Sequence, residues 1–183
     1  MLELYRTIIP SNYIINDNHG THYKIHMNCL SFLTRQFERI INNEEDTPGN
    51  FKMPSLKEIS NFLNCDIIKD EKEGKEYLNI DNYPIISIRC EVWRPTNRLF
   101  DPQNYAKTFK APIDLLVMDN YIVDDNWKYI NGITYVGGGP EAWENRAFRY
   151  KNDGLPDILT PEWWNKYSEN YGDIFIRIII DKD

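Results

Sequence analysis

Residues 86–93, ISIRCEVW, alternate without interruption: Ile86, Ile88, Cys90 and Val92 share one parity, and Arg89, Glu91 and Trp93 the other. Successive side chains of an extended chain point to opposite faces, so this segment is a strand with one apolar side. Such a strand needs sheet neighbours and something to cover its apolar side. The chain offers both. LELYRTII (2–9) alternates well enough for a first strand ending at Pro10, WKYINGITYVG (127–137) is a further one, and DIFIRIII (173–180) is apolar enough for a central sheet position. Helical spacing recurs in Leu30, Leu33, Phe37, Ile40 and Ile41. Ser55 and Glu58 form a capping-box pattern ahead of Ile59, Phe62 and Leu63. DIIKDEKEGKEYLNI (66–80) reads as a short charged hairpin or loop. The expected fold is α+β: a small mixed β-sheet of roughly four or five strands with helices packed on one face. At 183 residues this is a single domain, 1–183.

Composition excludes some functions. Hydrophobic residues make up 42% and aromatics 14%, which fits a folded globular chain. No apolar run approaches the length of a membrane span. The start, MLELYRTIIPSN, lacks the basic n-region and long apolar core of a signal peptide, so the expected location is cytoplasmic, with no membrane partner. Cys29, Cys65 and Cys90 share no metal-binding or redox spacing and read as buried thiols. A net charge of −7 and a pI of about 5.0 argue against nonspecific coating of nucleic acid. The balance reverses locally between Ile85 and Lys110, where Arg89, Arg94, Arg98, Lys107 and Lys110 outnumber Glu91 and Asp101.

That basic stretch leads into RLFDPQNYAKTFKAPIDLLVMDNYIVDDNWKYI (98–130). Asp101-Pro102 is a good helix start, Asp as N-cap and Pro at the first helical position. At roughly 100° per residue, Tyr105, Phe109, Ile113 and Leu116 cluster on one sector. Gln103, Lys107, Lys110 and Asp114 fall on another. Pro112 costs one backbone hydrogen bond and is expected to kink the helix. The polar sector is either a solvated face with routine i, i+4 pairs or part of a metal site. Asp124-Asp125 bears on the choice. If the loop holding them returns near Asp101, the carboxylates repel unless a divalent cation joins them. Magnesium takes one or two carboxylates plus water, and a nearby lysine can neutralise charge building up on a phosphate.

The run D-P-Q-N, then K-x-x-x-D-x-L, then D-D followed by a strand, resembles the RusA family of Holliday-junction resolvases, which shows D-x-D-N, a helical lysine with K-x-x-x-D-x-L, and an acidic D-D. The flanks are similar: IIPSNYIINDNHGTHYK (8–24) to the family's opening strand, P-S-N turn and T-H loop, ISIRCEVWRPTNRLFD (86–101) to its strand leading into the first Asp, and FIRIII (175–180) to its closing strand. The similarity runs the length of the chain in order, interrupted near residues 48–82 and 138–171, where insertions are expected.

The resemblance implies a RusA-like fold and a magnesium-dependent endonuclease, with manganese a possible substitute, that cuts branched DNA as a homodimer. Such chains are common in phages and prophages, which would put it in a host cytoplasm. It implies that Asp101 and Asp125 bind the metal, helped by Asp124 and Gln103. Lys110 best matches the catalytic lysine, because it begins KAPIDLL, with Lys107 its rival. Arg94, Arg98, Asn104, His22 and Asn12 fall at positions suited to DNA contact. The chain departs from the pattern in two ways. Gln103 stands where the second Asp would be, and about one extra helical turn separates Asn104 from Lys110. The alternative reading is therefore a catalytically silent RusA-like module that binds DNA or protein.

Three other groups carry less. His19, His22 and His26 lack neighbouring ligands at metal spacing. GGGP (137–140) lacks the G-K-S/T ending of a phosphate loop and reads as a flexible turn. Trp143, Trp163 and Trp164 fit a local mini-core better than base stacking.

Overall fold

A computed structural model describes residues 1–9, 52–93, 105–138 and 174–183. The expected helix over 30–41, Cys29, the three histidines, Trp143, Trp163 and Trp164 lie outside them. The elements in chain order are β1 (Leu2–Ile9), α1 (Leu56–Leu63), β2 (Ile67–Lys69), β3 (Glu76–Leu78), β4 (Ile86–Trp93), α2 (Tyr105–Met118), β5 (Ile130–Gly138) and β6 (Ile174–Lys182).

Among the described residues four strands form one mixed sheet in the order β1-β6-β4-β5, and β2 pairs with β3 in a separate antiparallel hairpin. β6 is central, antiparallel to both β1 and β4, as its run of isoleucines requires. β4 and β5 are parallel. A parallel pair cannot be joined by a tight turn, and the connection between them carries α2. The sheet is larger at one corner than the sequence suggests. Gly137 and Gly138, expected to open a flexible turn, are the last two residues of β5, paired with Val92 and Trp93.

One face of the sheet is the expected core. Ile86, Ile88, Cys90 and Val92 of β4, with Ile176, Ile178 and Ile180 of β6, are buried in one cluster. Phe109, Ile113 and Leu116 of α2 join it, as do Ile59 and Leu63 of α1. The i, i+4, i+7 spacing of the α2 residues is what aims all three at the sheet. Residues of the 48–82 segment, namely Ile59, Leu63, Cys65 and Leu78, belong to this same cluster. Cys65 and Cys90 are free and buried, matching the thiol reading for these two.

The opposite face is also shielded, and there charged groups are buried beside Phe175 and Ile179. Arg6, Arg177 and Glu91 stand in one row across β1, β6 and β4, since Arg6 pairs with Arg177 and Arg177 with Glu91. Glu3 joins them through a bulge. Glu3 opposes Ile179 and Tyr5 opposes Ile178, which leaves Leu4 extra and turns Glu3 to the side of Arg6. Arg6 donates to Glu3 through Nε and, at 2.6 Å, through Nη2. Arg177 donates to Glu3 at 3.4 Å through Nη1 and to Glu91 at 3.2 Å through Nε. All four residues are at most 3% exposed.

The capping box is realised, while the Asp101-Pro102 start lies outside the described residues. Ser55 Oγ accepts from the Glu58 N–H at 3.3 Å while the Glu58 carboxylate accepts from the Ser55 N–H at 2.7 Å. Each helix then ends on an asparagine in the left-handed region, Asn64 at φ 55° and Asn120 at φ 62°. Among the described residues no helix is long and apolar enough to cross a membrane.

Candidate functional site

The polar side of α2 and the loop that follows it meet at one ammonium group. Lys110 Nζ donates to Asp114 Oδ1 at 2.6 Å, one helical turn along α2, and to Asp125 Oδ2 at 3.2 Å. The i, i+4 spacing brings the first pair together on one face. The second needs the chain to double back, and the end of α2 has the local means. Asn120, in its left-handed conformation, donates its N–H to Val117 O at 3.1 Å, and Tyr121 donates to Leu116 O at 2.8 Å. This pair of bonds is the Schellman closure, which stops a helix and reverses the chain direction. Ile122, fully buried, then pins the returning loop to the core.

Past Asp125 the loop is closed by Asn126. Its side-chain oxygen accepts from the Lys128 N–H at 2.9 Å, and its carbonyl accepts from the Tyr129 and Ile130 N–H groups at 3.1 Å each. The Tyr129 carbonyl then accepts from Ile86 N–H at 2.9 Å, which ties the turn to the start of β4. Asp125 is thus fixed between a helix end and a strand start.

The three charged side chains remain open to water: 54% exposed for Lys110, 39% for Asp114 and 40% for Asp125. Pairs this exposed stabilise a fold by about 0–1 kcal/mol at most, so stability alone is a weak reason for the arrangement. The hydrogen bond to Asp114 pushes the Lys110 ammonium above the ordinary lysine value; burial opposes it, and the contact with Asp125 adds a smaller push upward. Lys110 is therefore a cation at any physiological pH. It gathers two carboxylates and still faces solvent.

Of the residues singled out in the sequence, Lys110, Asp114 and Asp125 converge. Asp124 lies beside Asp125 in the same loop, half-buried. Lys107 is on α2, with only its backbone described. Asp101, Gln103, Asn104, Arg94, Arg98, His22 and Asn12 lie outside the described residues. Among the described residues no three His, Cys, Asp or Glu side chains are grouped to hold a metal ion. The donors gathered here, exposed carboxylate oxygens, are of the hard type that magnesium takes. Sequence reasoning passed over Trp127, two residues after Asp125 and 89% exposed. The sequence places it at the start of a strand over 127–137, whereas β5 begins only at Ile130, which leaves the tryptophan in the loop after D-D-N.

No family model, curated protein or solved structure matches the chain.

Proposed function

We propose that this chain is a magnesium-dependent endonuclease that cuts branched DNA, Holliday junctions and related recombination intermediates, on a RusA-like fold. The observation that carries the reading is the ammonium of Lys110 bridging Asp114 and Asp125. The K-x-x-x-D and D-D motifs, on which the resemblance to the RusA family rests, meet at one point of the surface. A purely solvated helix face accounts for the bond to Asp114 but gives no reason for the second one, made across 15 residues of chain.

In this reading Asp125 and Asp101 hold the ion, helped by Asp124 and Gln103, and manganese can replace magnesium. A bound ion would supply an activated water and positive charge to offset that of the scissile phosphate. Lys110 supplies a second, protein-borne charge. Before substrate arrives, that charge is balanced by Asp114 and Asp125, which keep the side chain on the exposed side of α2. When a phosphate enters, Lys110 can turn toward it, because more than half of its side chain is already in water. Lys107 is the alternative donor on the same helix. Arg94, Arg98, Asn104, His22 and Asn12 would contact the DNA backbone. Paired cuts on two strands require two copies related by a two-fold axis, so the working form is a homodimer, in the cytoplasm.

The test is a synthetic four-way junction incubated with magnesium and either the parent chain or Asp125→Asn. The expected result is cutting by the parent, abolished by chelation, and a rate lower by on the order of 10² or more in the variant. Junction binding without cutting in either protein would instead favour the silent binding module, the reading that Gln103 supports. No binding and no cutting would remove both.

A further inference from the structure

The loop that holds Asp124 and Asp125 also holds Trp127, with 89% of its surface in water. Indole carries one of the largest apolar surfaces of any side chain and is usually well buried. Left out of the core, it gains the fold almost nothing. Yet the turn around it is well tied. Asn126 accepts three hydrogen bonds within the turn, and the next residues but one are joined to β4 through Tyr129 and Ile86. An exposed ring on a fixed turn is prepared for a ligand, because little motion is lost when one binds. Lys128 follows directly, its ammonium 5.0 Å from the centroid of the Tyr129 ring.

We propose that Trp127 is a stacking platform for an unstacked nucleobase at the branch point of the DNA, an inference that rests on the nuclease reading above. Every base has a face that can stack on indole, and each such contact is worth about 1–3 kcal/mol with little regard to sequence. A branch point interrupts the stack of the duplex, so a base there offers a face that continuous duplex hides. Two residues of chain span at most about 7 Å. A base lying on the indole therefore keeps its neighbouring phosphate near Asp125 and Lys110, with Lys128 as a further cation beside it. The stacking would select branched over fully paired DNA, while the charged groups act on a phosphate common to both.

The test measures equilibrium binding of a labelled four-way junction, with calcium in place of magnesium, to the parent, Trp127→Ala and Trp127→Phe. A fully paired duplex is measured in parallel, together with a junction whose branch-point bases are replaced by abasic sites. The expected result is a loss of roughly tenfold or more in junction affinity for Trp127→Ala. Most affinity should be kept by Trp127→Phe, and duplex binding should not change. The abasic junction should bind the parent as weakly as the intact junction binds Trp127→Ala, with no further loss when both changes are combined. Equal junction affinity for parent and Trp127→Ala overturns the stacking role, and leaves the nuclease reading standing if the parent cuts. A parent that neither binds nor cuts overturns both. A change in sedimentation on Trp127→Ala with junction affinity unchanged also overturns it, and assigns the ring to a contact between protein copies. The side chain is at the surface, so thermal unfolding of both variants should match that of the parent.

Discussion

Tyr83 packs edge-on against Tyr129, with ring centroids 6.0 Å apart, and is buried in the core under the loop that carries Asp125. Burial, with a smaller contribution from nearby Cys65, pushes its phenol far above the ordinary tyrosine value. The Cys90 thiol, fully buried beside Glu91, is raised in the same direction by the same dominant cause. The sign of the effect follows. An unfolded chain ionises its tyrosines near pH 10, while the folded chain keeps Tyr83 protonated above that. The contribution of Tyr83 is therefore complete below about pH 10 and falls as pH rises from there toward the folded value, while that of Cys90 begins to fall above about pH 8.5, where an unfolded thiol ionises. Each such group contributes a slope of up to about 1.4 kcal/mol per pH unit. Tyr83→Phe should lose less stability than the parent between pH 9 and 11 in urea unfolding, and an identical alkaline loss would show that the phenol stays accessible to water. No periodicity in the sequence announces this residue. Tyr83 sits in the loop before β4, and only the packing of a second loop over it makes it core.

Helix ends decide where the candidate site lies, and they differ in how openly the sequence declares them. The Ser55–Glu58 box is legible because both of its members are side chains at a fixed spacing. The reversal after α2 is not, because it depends on the backbone of one asparagine adopting a left-handed conformation. Asn120 follows Met118-Asp119 with no glycine to mark the stop. Placing an ordinary side chain there costs about 1–2 kcal/mol, which asparagine escapes in part. Asn120→Ala should therefore lower stability by about 1 kcal/mol, and Asn120→Gly should lose less or gain a few tenths. Chemical unfolding of both variants checks the order, and a reversed order would mean that the Schellman bonds are not what closes α2. Because Asp125 depends on that reversal to reach Lys110, the nuclease proposal expects Asn120→Ala also to reduce junction cutting more than its effect on stability explains. The expected meeting of Asp125 with Asp101 lies outside the described residues. The Lys110–Asp114 pair was legible from the spacing of the polar sector on α2 and Asp125 was marked by the D-D pair, but the contact between Lys110 and Asp125 was not legible. The parallel pairing of β4 and β5, which sets where the loop returns, was not, because strand patterns carry no sign of direction.

Across the whole sheet, the parity of β4 assigned Glu91 to the side away from the aliphatic residues without revealing that this side is covered as well. Glu3 and Arg6, three apart in a strand, would ordinarily face opposite ways, and a single extra residue in the bulge reverses that. Four charges that cancel, Glu3, Arg6, Glu91 and Arg177, thus hold three strands in register in a dry setting. Removing one member of such a set leaves its partner charged and buried, at a cost of about 3–5 kcal/mol. Glu91→Gln should destabilise by that order in urea unfolding. Glu91→Met combined with Arg177→Met should destabilise less than Glu91→Gln alone, since no charge is then stranded. If the double change proves additive with the single ones, the four groups do not act as a unit.

The strand at the centre of this arrangement, β6, is the last of the described strands to be made. Until residues 174–182 leave the ribosome, β1 and β4 have no hydrogen-bonding partner between them. Arg177 is missing from between Glu3 and Glu91, and the sheet cannot close. A nascent chain at that stage displays two open strand edges and an incomplete set of charges, a form suited to waiting on a chaperone rather than to early collapse. Assembly of the sheet is therefore a late event, completed by a strand that must slide between two already synthesised ones.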